Sequence, residues 1–191
     1  MQCDAGADTI TLDDSYVGAD GSATISGGAD ADSISLANNS DIAVNTGSTG
    51  LVRGDAGADT IRIDSSYVGW DGSATVSGGD GNDSISLANR SNIGGGTGVS
   101  GVVLGDDGAD TITIDDSRIG IDGSATVDGG ADHDLITLRN GSDLNATSAV
   151  LGGTGNDTIV IDSSVSLANG GTIDGGADTD QIALTAETNL T

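Results

Sequence analysis

The chain repeats itself eight times, and this constrains its fold more than any other feature. A glycine-rich loop ending in aspartate begins at Cys3, Gly27, Gly54, Gly78, Gly105, Gly129, Gly152 and Gly175, and successive starts lie 24, 27, 24, 27, 24, 23 and 23 residues apart. Pairs of loops form a longer unit. GDAGADTIRIDSSYVGWDGSATVSGG from Gly54 nearly duplicates GDDGADTITIDDSRIGIDGSATVDGG from Gly105. Repetition at this period indicates stacked units, each unable to bury its apolar face alone. No linker or shift of composition interrupts the series, so residues 1–191 are expected to form a single continuous solenoid.

Within each repeat the apolar residues alternate with polar ones. Ile10, Ile34, Ile61, Ile85, Ile112, Ile136, Ile159 and Ile182 share one register, and Leu12, Leu36, Ile63, Leu87, Ile114, Leu138, Ile161 and Leu184 share the next inward one. A period of two puts them on one face, with Thr and Ser on the other. A second short strand carries Val17, Ile42, Val68, Ile93, Ile119 and Leu144; a third carries Ile25, Val52, Val76, Val103, Val127, Val150 and Ile173. No stripe of period 3.6 exists, and Gly and β-branched residues oppose helix. The expected fold is therefore all-β: a parallel β-helix of eight coils of about 23–27 residues, three short strands per coil, right-handed by the rule for parallel crossovers.

Composition narrows the chemistry. The net charge is −25; the acids are all Asp except Glu187, and the bases are Arg53, Arg62, Arg90, Arg118 and Arg139, with no lysine. Such a surface disfavours nucleic acid and anionic membranes. No apolar run is long enough to span a bilayer. Cys3 is the single cysteine, so no intrachain disulfide can form. Regular alternation and dispersed acids argue against disorder, and a folded chain of this charge calls for cations.

The loop itself supplies a place for them. Asp8, Asp32, Asp59, Asp83, Asp110, Asp134, Asp157 and Asp180 occupy its sixth position in every coil. Stacking brings neighbouring carboxylates about 5 Å apart, with a repulsion of roughly 3 kcal/mol per pair at an effective dielectric near 20. Glycines let the backbone turn and aim carbonyls inward. Carboxylate and carbonyl oxygens are hard ligands suited to Ca²⁺, and no His/Cys cluster offers a softer site. GGDGNDSIS from Gly78 and GGTGNDTIV from Gly152 fit Gly-Gly-x-Gly-x-Asp-x-aliphatic-x throughout, and the other six loops nearly so. This resembles the RTX nonapeptide of secreted bacterial repeat proteins and adhesins.

The resemblance implies about seven calcium ions between coils. Each would be held by the sixth-position Asp and by carbonyls of Gly27, Gly54, Gly78, Gly105, Gly129, Gly152 and Gly175. Asp4, Asp30, Asp55, Asp80, Asp106, Asp132 and Asp178 are possible auxiliary ligands. RTX arrays run nonapeptides in tandem, whereas each coil here has one, so one calcium edge is expected. Asp30, Asp132 and Asp178 replace the fourth-position Gly, Asp55 and Asp106 the second, and Cys3 the first.

Other columns are open to two readings. Asp13, Asp64, Asp115 and Asp162, and Asp20, Asp71 and Asp122, recur only in alternate coils, about 9.6 Å apart, too far to share an ion; solvated turn residues fit better. His133 fits a solvated filler. Outward pairs such as Thr9/Thr11 and Thr111/Thr113 suggest an ice-binding plane, but Arg62, Val160 and Ala183 break it. Tyr16, Tyr67 and Arg118 share a register near Trp70 and could form a sugar-binding strip or a plain ladder. Polysaccharide lyases and epimerases also combine β-helices with calcium. Here the arginines fall in different registers, no lysine is present and no long insertion walls a cleft, so no enzyme is expected.

The expected function is mechanical: a calcium-stabilised spacer, adhesive module or filament segment of a secreted or cell-surface bacterial protein, for which the resemblance suggests type I export. Neither end shows a polar cap, which suggests either continuation in a longer chain or end-to-end self-association. Cell-surface glycans are the alternative class of partner.

Overall fold

A computed structural model describes residues 1–18, 21–144, 147–167 and 171–185. Asp20 and the Ala-Glu-Thr-Asn-Leu-Thr tail (186–191) lie outside the described residues. The described chain is all-β, and its strands form three parallel sheets of eight, seven and seven strands. Among the described residues each of the first seven coils contributes one strand to each sheet in turn, the eighth contributes Gln181–Thr185 to the first sheet, and equivalent strands of neighbouring coils pair. This is a parallel β-helix with three strands per coil.

The first sheet runs from Thr9–Asp13 and Ser33–Ala37 to Thr158–Asp162 and Gln181–Thr185. Its register pairs Ile10 with Ile34 and Leu12 with Leu36, and so on to Ile161 with Leu184. The second sheet has two-residue strands, among them Tyr16–Val17, Tyr67–Val68 and Arg118–Ile119. The third holds longer strands such as Ser73–Asp80 and Ser100–Asp107. Each of these runs into the glycine-rich loop, which turns the corner to the next coil's first strand.

The apolar columns read from the sequence form one core. From Ile34 to Ile136, and in the facing columns through Val150, these aliphatics are essentially inaccessible. Stacked identical side chains interdigitate, and burying each Ile or Leu contributes roughly 1.5–3 kcal/mol. Aromatic anchors are unnecessary in so narrow a core. The two ends differ: Ile10 and Leu12 of the first coil are buried, whereas Ile182 and Leu184 of the eighth are 47% and 77% exposed among the described residues. Among the described residues no helix is long and apolar enough to cross a membrane.

Candidate metal centre

The sixth-position aspartates line the inside of one corner. Asp32, Asp59, Asp83, Asp110, Asp134 and Asp157 are all buried, with relative exposures of 4% or less; Asp8 and Asp180 at the ends are partly open. Each carboxylate from Asp32 to Asp180 receives a backbone hydrogen bond from the coil before. The amide of Asp8 donates to Asp32 Oδ1, that of Asp32 to Asp59, that of Asp59 to Asp83 and that of Asp83 to Asp110, all at 2.7 Å. The amides of Asp110, Asp134 and Asp157 continue the series at 2.8, 2.9 and 3.0 Å. One oxygen of each carboxylate is thereby satisfied, and stacking holds its direction.

The other oxygen is not. Oδ2 of all six buried aspartates has no hydrogen-bond partner. A buried ionised oxygen without a partner is costly. Burial pushes the Asp83, Asp110 and Asp134 carboxyls up to about 7, and the charges of neighbouring aspartates add to the rise. Asp59 is raised for the same reasons.

These oxygens crowd the first glycine of their own loop. A Cβ on Gly54 would lie 2.2 Å from Asp59 Oδ2 and 2.5 Å from the Gly78 carbonyl oxygen; on Gly105 it would lie 2.3 Å from Asp110 Oδ2 and 2.2 Å from the Gly129 oxygen. Gly27, Gly78, Gly129 and Gly152 repeat the arrangement. These glycines are therefore required by space and not by φ. At each of them the third sheet's pairing skips a step: Ser26 pairs with Arg53 and Gly28 with Asp55, but Gly27 and Gly54 do not pair. The same gap recurs at Gly105 opposite Gly129 and at Gly152 opposite Gly175. The corner thus brings together a carboxylate oxygen and a carbonyl oxygen of the next coil at Gly27, Gly54, Gly78, Gly105, Gly129 and Gly152.

The auxiliary aspartates stand at the turn beside this row. Asp30, Asp55, Asp106, Asp132 and Asp178 adopt φ between 75° and 82°, so they serve as left-handed turn residues in place of glycine. Asp30 Oδ2 accepts the Gly6 amide at 3.0 Å. Asp55 and Asp106 accept the hydroxyls of Ser26 and Ser77, and Asp55 also pairs with Arg53 at 2.8 Å. Asp4, Asp80, Asp132 and Asp178 are exposed. Among the described residues no three His, Cys, Asp or Glu side chains gather as a cluster. The charges of Asp55, Asp106, Asp128 and Asp132 still reach the column and add to the rise at Asp59, Asp83, Asp110 and Asp134.

Several partnerships were not foreseen. The aspartates of alternate coils, expected to be solvated, are bound by asparagines of the intervening coils: Asn38 Nδ2 donates to Asp13 at 2.7 Å, Asn89 to Asp64 at 2.7 Å and Asn140 to Asp115 at 2.6 Å. The Asn89 hydrogen bond, with Ser65 and Arg62, holds Asp64 below the usual carboxylate range. His133 is exposed, yet its Nδ1 accepts the Asn156 amide at 2.9 Å. In the first sheet Leu135 stands outward beside Thr111 and is 39% exposed, a further break in the Thr/Ser plane. Tyr16, Tyr67 and Arg118 do share a register, with Asp41 and Asn92 between them. Arg90 and Arg118, in different registers as the sequence has them, line one groove. Comparison with known protein families, curated proteins and solved structures finds no match to this chain.

Proposed function

We propose that the chain is a calcium-stabilised β-solenoid serving as a rigid structural or adhesive module of a secreted or cell-surface protein. One observation carries the reading: six buried, unpartnered carboxylate oxygens stand in register, each beside a carbonyl oxygen of the next coil. A divalent hard cation between coils supplies the missing partner and removes the repulsion along the column. The loop's resemblance to the RTX nonapeptide supports calcium as the ion, with about seven inter-coil sites.

In this reading Asp Oδ2 and the loop carbonyls are ligands, and the remaining positions of the coordination shell are filled by water or further backbone oxygens. Low calcium inside a cell keeps the chain unfolded for export, and external calcium folds it. The stacked coils then act as a spacer, or as a filament segment where an end meets a further repeat unit or a second copy. Calorimetric titration of the chelator-treated chain with Ca²⁺ is expected to show several ions bound, with β-structure appearing in circular dichroism as they bind. The same far-ultraviolet spectrum in excess chelator and in calcium at neutral pH would sink the proposal. Sedimentation at several concentrations tests the filament part; a strict monomer overturns it.

A further inference from the structure

The residues that break the repeat converge on one place outside the loop corner. Trp70, the sole tryptophan, takes the position that Ala19 and Ile121 hold in the equivalent repeats. Arg90 takes the position of Asn39 and Gly141, and at φ 65° it occupies a backbone conformation that favours those residues. Arg118 takes the register of Tyr16 and Tyr67. These three substitutions fall in successive coils and line one groove of about 490 Å³, with Tyr67, Asn92 and Asp116. A second depression of about 430 Å³ shares Tyr67, Arg90 and Asp116, so the groove extends across neighbouring coils.

Its chemistry is unlike the rest of the surface. Tyr67 and Trp70 meet edge to face, ring centroids 4.6 Å apart, and Trp70 remains 48% exposed. Neither Arg90 nor Arg118 has a salt-bridge partner among the described residues, whereas Arg53, Arg62 and Arg139 each have one. Beneath them Asn92 is 2% exposed, and neither its amide nitrogen nor its oxygen has a hydrogen-bond partner. Gly95 leaves room for that amide: a Cβ there would lie 3.0 Å from Asn92 Nδ2. The long side chains of Tyr67 and Arg118 flank Asn92 in register. Asn92 and Arg118 line the same groove.

We propose that this groove binds an acidic saccharide, its sugar ring against Trp70, its carboxylate between the Arg90 and Arg118 guanidiniums, and its hydroxyls on Asn92 and Asp116. Aromatic faces take the apolar side of a pyranose, and planar guanidiniums take carboxylates bidentately. The net charge of −25 opposes an anion at long range, but salt screens charges beyond about 8 Å at physiological ionic strength, so the local arginines govern. The extended groove suits an oligosaccharide. The site is independent of the calcium corner, whose loops lie between the third and first sheets.

Trp70 provides the signal. Folded protein, verified by circular dichroism, is titrated with a glucuronate-containing tetrasaccharide and with its carboxyl-reduced counterpart. A saturable change in tryptophan fluorescence is expected for the acidic ligand, with Kd roughly between 10 µM and 1 mM, and an affinity lower by about tenfold or more for the reduced one. R90Q and R118Q are expected to lose most of the acidic ligand's affinity; R62Q, on the first sheet, serves as the control and is expected to keep it. Trp70→Ala, followed by calorimetry, is expected to weaken both ligands. Equal binding of the two ligands overturns the acidic class. Affinity unchanged in the arginine variants, or no saturable change up to about 5 mM, overturns the site.

Discussion

Two inner corners of each coil solve the same problem differently. Between the first and second sheets, Ser40, Ser66, Ser91, Ser117 and Ser142 form a buried column. The Ser40 amide donates to Ser66 Oγ at 3.2 Å, and the Ser66 amide to Ser91 Oγ at 3.4 Å. Each hydroxyl also donates: Ser91 Oγ to the Ala88 carbonyl at 2.6 Å, Ser142 Oγ to that of Arg139 at 2.7 Å. A hydroxyl both accepts and donates, so the serine column is satisfied within the protein. Between the third and first sheets the aspartates accept a neighbour's amide in the same way, but an ionised carboxylate cannot donate. Its second oxygen is left over in coil after coil. The contrast teaches that only one corner needs something from outside the chain.

Acidity offers the strongest test of that contrast. In the metal-free chain Asp83, Asp110 and Asp134 have folded pKa values of about 7, above an ordinary value near 3.8. The folded state then holds more protons than the unfolded state between these values, so stability is present near pH 4 and lost as pH rises towards 7. With chelator present, thermal melts are expected to show a folded chain near pH 5 and a largely unfolded one near pH 8. Calcium should reverse the trend, because it competes with protons for the same oxygens. Serine does not titrate, so a metal-free chain equally stable at both pH values would erase the distinction between the corners.

Filling the aspartate corner comes next. Gly105→Ala places a methyl 2.2 Å from the Gly129 oxygen and 2.3 Å from Asp110 Oδ2. Overpacking there is expected to cost about 1–3 kcal/mol and to remove at least one ion from the calorimetric count. At Gly21 a Cβ meets nothing within 4 Å and the backbone φ is not positive, so Gly21→Ala should stay within about 0.5 kcal/mol. Equal melting temperatures for the two variants would contradict the cradle.

Asp110→Asn separates charge from shape. The amide oxygen keeps the bond from the Asp83 amide, and the new NH2 can donate to a nearby carbonyl. The variant should be more stable than the parent in chelator and less stable in calcium, by about 1–2 kcal/mol each way. A shift of the same sign in both conditions would remove the cation from the account.

Ser91→Ala sharpens the other side. It deletes a hydroxyl that accepts from Ser66 and donates to Ala88 and Ile63. The expected loss is about 1–2 kcal/mol, identical in calcium and in chelator. Any calcium dependence in denaturant titrations would show that the two corners are coupled.

Much of this was legible in the residue order. A period of about 24 residues with two-residue alternation permits little besides stacked coils, and the Ile, Leu and Val columns stand where alternation puts them. The sixth-position Asp was legible too, because it alone among the acids recurs in every coil. Partner choice was not. Whether Asp106 turns inward or bonds Ser77 depends on φ at a second-position residue and on what the neighbouring coil presents. Asn89 reaches back to Asp64 from 25 positions away. The shared register of Tyr67 and Arg118 near Trp70 was visible in the spacing, but that Arg90 and the buried Asn92 join them in one groove was not.

Periodicity is a property of the chain, and because identical units stack in only one economical way, order along the chain was enough for the coil, its core and the column of aspartates. Which oxygen of each aspartate goes unpartnered, and which departures from the repeat become neighbours, depends on contacts made along the stacking axis. Those contacts join residues a full coil apart through side-chain directions that no spacing encodes, so they emerged only once the coils were packed on one another.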